Sequence, residues 1–223
     1  MVTSRFGWAD LYRGNRFSFP VSERALLEGA TAAGLAPGMT VLDLRAGTGG
    51  VAIFLAEEFH VYVRGVERAP NLRALAQERV SHSAAGRRIR LCASRADLAA
   101  GPYDLVCALG AEPPQLEGLL GRNGRLLLGR AVRRRTPVPD RVRDVFAPAE
   151  PSKGGDVLWR REASPLELER YFGMQERALR QWSGRVRKDD DATCLAARAR
   201  RAIETFRSHG SYVAWELSVR APA

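Results

Sequence analysis

Carboxylates, glycines and an arginine stand close together near the start of this 223-residue chain. The run Val41-Leu42-Asp43-Leu44 alternates as a buried strand does and carries a carboxylate at Asp43. Arg45-Ala46-Gly47-Thr48-Gly49-Gly50 then breaks the pattern, and Val51-Ala52-Ile53-Phe54-Leu55-Ala56 resumes it at helical spacing. Strand, glycine turn and helix form the geometry in which backbone N–H groups face a ligand. Glycine suits such a turn because a side chain would block close approach or forbid the backbone angle. Further on, His60-Val61-Tyr62-Val63-Arg64-Gly65-Val66 ends at Glu67. A carboxylate at that strand tip is placed to accept hydrogen bonds from a ribose diol.

These groups need a scaffold, and the hydrophobic pattern supplies one. A helix is expected over 22–34, with Ser22 as N-cap, Ala25, Leu26, Leu27 and Ala30 as its apolar stripe, and Gly34 as its stop. A strand follows over 40–44, then a helix to about Phe59 and a strand to Val66. Pro70-Asn71 opens the next helix, with Leu72, Leu75, Ala76 and Arg79 at helical spacing, before a strand over 87–92. The fourth strand covers 104–109. A short helix over 116–120 and a turn at Arg122-Asn123-Gly124 lead to a fifth over 125–128. Prolines 137, 139, 148 and 151 mark a loop-rich connection, and 156–160 suggests a sixth strand. Ser164-Pro165 with Glu167 starts a helix carrying Leu166, Leu168, Tyr171, Phe172, Met174, Leu179 and Trp182. After Asp189-Asp190-Asp191 a second helix runs to about Arg207, and 211–220 closes the chain as a strand.

An apolar content of 45% in this length suits one domain with an elaboration. No apolar run approaches a membrane span and the N-terminus lacks a signal-peptide layout, so a soluble, cytoplasmic protein is expected. Cys92, Cys107 and Cys194 are odd in number and far apart, and His60, His82 and His209 show no ligand spacing; buried thiols are expected and no metal site. The net charge of +10 invites a nucleic-acid partner. The basic residues are scattered, however, with one dense run at 130–135 and no aromatic-and-basic alternation, so such a partner is the less favoured expectation.

The spacing from Asp43 to Glu67 fits both nicotinamide dinucleotide sites and S-adenosylmethionine (SAM) sites. The glycine order separates them: G-x-G-x-x-G is absent, whereas Asp43, Gly47 and Gly49 fit the acidic residue followed by G-x-G-x-G. With Pro37-Gly38, Tyr103-Asp104-Leu105-Val106 and Leu-Leu-Gly-Arg-Asn-Gly-Arg-Leu-Leu-Leu, the chain resembles class I SAM-dependent methyltransferases over residues 35–130, and more thinly on either side. Its insertion resembles that of small, poorly characterised bacterial members. The resemblance implies a doubly wound, Rossmann-like, mostly parallel sheet with an antiparallel last strand and an inserted helical pair. Residues 1–223 would be one domain: 1–20 an N-terminal segment that either packs over the domain edge or forms a lid on the donor site, 21–130 the SAM-binding core and 161–210 a substrate-side helical insertion.

Methyl transfer from SAM to a small molecule is the implied activity. Asp43, Arg45, Ala46, Gly47, Thr48 and Gly49 would form the donor loop, Glu67 and Arg68 the ribose side, Ser94 and Arg95 the adenine side, and Leu109-Gly110 the methionine end. Two departures stand out. Arg45 replaces the first glycine, and either points away, pairs with the SAM carboxylate or fills the ligand's space. Ser94 stands where an acidic residue usually reads adenine, with Asp97 slightly beyond. Glu112, after the fourth strand, is either a base for the acceptor or a solvated loop carboxylate. Tyr12, Phe17, Phe19, Tyr171 and Trp182 are either core or walls of a substrate pocket; Asn15 and Arg16 would lie close by. Rival readings are an RNA- or protein-directed methyltransferase and a non-catalytic relative closed by Arg45. A dehydrogenase has the wrong glycine order.

Overall fold

The computed structural model describes residues 6–94, 96, 101–110, 116–151, 156–183 and 190–222. Its strands are β1 (Thr40–Asp43), β2 (Tyr62–Val66), β3 (Ile89–Cys92), β4 (Tyr103–Leu109), β5 (Leu120–Arg133), β6 (Val157–Glu162) and β7 (Val213–Arg220). They form one seven-stranded sheet in the order β3-β2-β1-β4-β5-β7-β6. The first five are parallel, and β7 runs antiparallel between β5 and β6. This is the doubly wound order, reversing direction at β1. Helices are α1 (Trp8–Tyr12), α2 (Glu23–Ala32), α3 (Gly50–Glu58), α4 (Pro70–Ser81), α5 (Asp140–Phe146), α6 (Pro165–Ser183) and α7 (Asp190–His209).

Local chemistry explains most of these boundaries. The Ser22 hydroxyl caps α2 by accepting from Ala25 N at 3.2 Å. Ser164 and Glu167 make a reciprocal capping box at the start of α6. The Asp104 carboxylate accepts from Thr40 N at 2.7 Å and Thr40 Oγ1 at 3.0 Å, which ties β1 to β4. Residues 105–109 of β4 are all buried, as a central parallel strand covered on both faces requires.

One sheet face packs against α2 and α3, through Leu26, Ala30, Val51, Ala52 and Leu55. The other gathers Leu42, Val66, Val106, Leu126 and Leu128 into a separate cluster, with Leu116, Leu119 and Leu120 against it. The inserted pair is anchored by aromatic rings. Phe172 stacks on Phe206 at 4.6 Å, and both meet Trp215 of β7. Phe172 is therefore core. No helix among the described residues is long and apolar enough to cross a membrane.

The structure corrects three local expectations. The turn expected at Arg122-Asn123-Gly124 lies inside β5, which already pairs with β4 at Leu120. Tyr103 faces Leu120 and Leu105 faces Arg125, so two steps on β4 answer five on β5 and the extra residues bulge. Strand pairing claims Leu120 and reduces the expected helix over 116–120 to a 3-10 turn, Glu117–Leu119. The proline-marked connection also holds α5, whose Val142 is fully buried; Pro139 is tolerated because it precedes the first helical residue.

Candidate functional site

The strand order reverses between β1 and its neighbours β2 and β4, and in doubly wound sheets the crevice that takes a ligand lies at this point, at the carboxyl ends of the strands. The turn after β1 is held by its own backbone. Leu44 N donates to Cys107 O, Ala46 N to Val66 O and Gly49 N to Ala46 O. Gly47 and Gly49 have φ of +55° and +78°, the left-handed region that glycine enters without steric cost. At the tip of β2, Glu67 Oε2 accepts from Gly47 N at 3.0 Å and Oε1 from Ala69 N at 2.8 Å. This half-buried carboxylate fixes the turn, and each oxygen keeps lone-pair capacity for a further donor.

Asp43 plays a different part. It is 1% exposed, its Oδ1 accepts from Arg45 N at 3.1 Å, and its Oδ2 has no hydrogen-bond partner among the described residues. Burial pushes its pKa up to about 7, against the pull of the Arg45 N–H, with Glu67 adding to the rise. Asp43 therefore braces the turn from beneath and presents no oxygen to the crevice.

The segment between α1 and α2 lies directly on the turn. Ser18 Oγ accepts from Thr48 N at 2.9 Å, and Thr48 Oγ1 donates to Arg16 O at 2.6 Å. A Cβ on Gly47 would collide with Ser18 Oγ, and one on Gly50 with Arg16 O. Phe19 covers Gly129 of β5, where a Cβ would come within 2.9 Å of its ring. Arg79 of α4 secures this strap by donating to Arg13 O and Asn15 O. From α6, Tyr171 donates to Ser18 O at 3.1 Å and lies 3.3 Å from the Tyr12 hydroxyl. Burial, then Tyr12, holds the Tyr171 phenol well above its ordinary pKa, so it is a proton-bearing donor near neutral pH. Asn15 is 6% exposed, and its Nδ2 donates to Tyr171 O.

Arg45 spans the crevice: its Nη1 donates to the Gly110 carbonyl at the end of β4. The arginine bridges the ends of β1 and β4 while remaining exposed.

Thus Asp43, Arg45, Ala46, Gly47, Thr48, Gly49, Glu67, Gly110, Tyr12, Phe19 and Tyr171 come together. Leu109 belongs to the core and can offer only its backbone. Phe17 packs edge-on against Phe54 of α3, and Arg68 is exposed beside Glu67. Ser94 is half-buried just past β3, whereas Arg95, Asp97 and Glu112 lie outside the described residues. Trp182 stacks on Phe6 at 4.9 Å. It follows Tyr171 by about three helical turns along α6, roughly 16 Å away, and is not brought to the crevice. Sequence reasoning missed Ser18 and the strap-holding role of Arg79. Neither had a signal: a serine among aromatics and an arginine on a helix face are ordinary.

A cavity of about 400 Å³ lies between the strap and α6, lined by Asn15, Phe17, Phe19, Glu167, Tyr171 and Met174 among others. A second, of about 500 Å³, sits between the end of α4 and the start of β3, at the opposite edge of the sheet.

Comparison with protein-family models and with curated proteins finds no match. Solved structures do match. A SAM-dependent methyltransferase from Geobacter sulfurreducens, in complex with S-adenosyl-L-homocysteine, aligns with a TM-score of 0.80 at 19% identity, over 97% of this chain and 97% of its own. Another from Thiobacillus denitrificans, with the same ligand, gives 0.81 at 17%, over 99% and 100%. The 4+2 cyclase SpnF gives 0.70 at 16%, over 90% and 81%. At such identities the likeness establishes the fold: the chain is built on the architecture of the SAM-dependent methyltransferase structures.

Proposed function

We propose that this chain is a SAM-dependent methyltransferase acting on a small-molecule acceptor. The observation that carries this is the Glu67 carboxylate held against the glycine turn at the point where the strand order reverses. The solved neighbours crystallised with S-adenosyl-L-homocysteine support it.

The donor set suits the cofactor. Glu67 keeps acceptor capacity for a ribose diol, and the Gly110 carbonyl and the Arg45 guanidinium offer an acceptor and a cation for an amino acid tail. Ser94 and, from the sequence, Arg95 are assigned to the adenine side. Bound SAM supplies a methyl group activated by its sulfonium. What remains for the protein is to position the acceptor and exclude water. Phe19 and Tyr171 wall the strap-side cavity, whose volume suits a small molecule. Tyr171 stays protonated and spends its hydroxyl hydrogen on Ser18 O, so it serves as a wall of the cavity and not as a base. Glu112 is the proposed base, if the acceptor needs one.

A second reading, a protein that keeps the fold with a closed donor site, is favoured by one observation. Ser18 and Arg16 sit where side chains on Gly47 and Gly50 would otherwise be. Isothermal titration of the purified protein with SAM and with S-adenosylhomocysteine separates the two. Micromolar binding supports the donor assignment, and absence of binding by the natural chain removes the methyltransferase proposal.

A further inference from the structure

The crevice contains a cation that the turn does not need. Position 45 contributes its backbone N–H to Asp43, and any residue would do that. The side chain is another matter, because it crosses from the end of β1 to the end of β4. A guanidinium carries five N–H donors in a planar fork, and here one of them is committed to a neutral carbonyl.

Several nearby cations and carboxylates are engaged elsewhere, although Arg68 beside Glu67 is exposed. Arg16 pairs with Glu23, Arg79 holds the strap, and Arg73 donates to Glu67 O. Glu67 accepts from the turn, and Asp43 lies buried beneath it. Among the described residues Arg45 has no ion pair, and its side chain stays accessible from the crevice. A guanidinium fork of this kind is complementary to a carboxylate, which it can grip through two parallel hydrogen bonds.

We propose that Arg45 is the residue that recognises the donor's carboxylate, gripping the amino acid tail and making the site selective for nucleosides that carry one. This rests on the donor-site reading above. In this structure the guanidinium donates to the Gly110 carbonyl. With the tail in place it turns to the carboxylate, and the carbonyl accepts from the ammonium on the same carbon. Swinging between these positions needs only side-chain rotation, because the backbone of the turn is fixed by Glu67 and Val66.

The test compares two probes, S-adenosylhomocysteine and 5′-methylthioadenosine, which shares the nucleoside and thioether but lacks the tail. Each is titrated into the natural chain, Arg45→Met and Arg45→Lys, with thermal unfolding as a check on folding. Arg45→Met is expected to weaken S-adenosylhomocysteine about 10- to 100-fold, the loss when a charge-assisted contact is removed. Methylthioadenosine should be unchanged, and Arg45→Lys should recover part of the loss. Equal loss of both probes would assign Arg45 to propping the turn and overturn the proposal. Unchanged or tighter S-adenosylhomocysteine binding by Arg45→Met would overturn it too, showing that the arginine points away or fills the site. Failure of both probes with every variant would instead bring down the donor site itself, and the proposal with it.

Discussion

Asp43 is the carboxyl group that the fold treats least like water. It is buried beneath the glycine turn with one oxygen unpartnered, and its pKa rises from 3.8 to about 7, chiefly through burial. A raised folded-state value means that the native state holds a proton which the unfolded chain releases. The contribution to stability is therefore complete below about pH 4, declines as pH rises towards 7, and is gone above that. A tenfold difference in proton affinity between the two states corresponds to about 1.4 kcal/mol, so the whole effect is on the order of 4 kcal/mol. Asp43→Asn keeps an oxygen for Arg45 N and cannot titrate. Urea unfolding at a series of pH values should show the natural chain losing stability relative to the variant as pH rises from about 4 to about 7. Parallel curves would mean that Asp43 is ionised throughout and that water reaches its carboxylate.

At the scale of elements, the strap and the turn are one unit, and Gly50 lies at their contact. Alanine is the better helix former by about 1 kcal/mol, so Gly50→Ala would ordinarily stabilise α3. Here its methyl group would collide with the Arg16 carbonyl, so the strap must lift and lose the bonds at Thr48. A net destabilisation of about 1–3 kcal/mol is expected. Amide exchange should quicken at residues 14–20 while β1 and β4 keep their protection; unchanged exchange in the strap would show that the contact is loose. This unit also marks where the sequence stops being legible. The turn, Glu67 and the parallel strands could be read because glycine order and apolar runs are local signals. The capping box at Ser164 could be read for the same reason, whereas the antiparallel direction of the last strand followed only from the resemblance to class I methyltransferases. Ser18 against Thr48 joins residues thirty positions apart, and no local pattern encodes that. The early start of β5 escaped because Arg122-Asn123-Gly124 has turn chemistry, which pairing with β4 overrides. Trp182 had the composition of a pocket wall, but it lies near the far end of α6, where it stacks on Phe6.

For the whole molecule the question is what a charge of +10 is for. Surface pairs such as Arg16 with Glu23, Arg24 with Glu28, Arg141 with Glu204, Arg201 with Asp144 and Arg207 with Glu176 cancel in that sum, so the excess sits on basic residues outside them. Even the dense run is partly spent, with Arg133 on Glu150 and Arg134 on Glu162. Exposed pairs of this kind stabilise little, but they dilute the positive field that a polyanion would meet. Weak, sequence-independent binding is what remains, and it should be driven by counterion release. Fluorescence anisotropy with a labelled single-stranded RNA should detect association at about 50 mM salt and lose it by about 200 mM. S-adenosylhomocysteine should not alter that association, since binding driven by scattered surface charge does not depend on the donor site. An RNA acceptor would behave differently, because its base must reach the methyl group and its affinity could not rest on phosphate contacts alone. Binding that survives about 200 mM salt and responds to S-adenosylhomocysteine would displace the small-molecule proposal in favour of an RNA-directed enzyme.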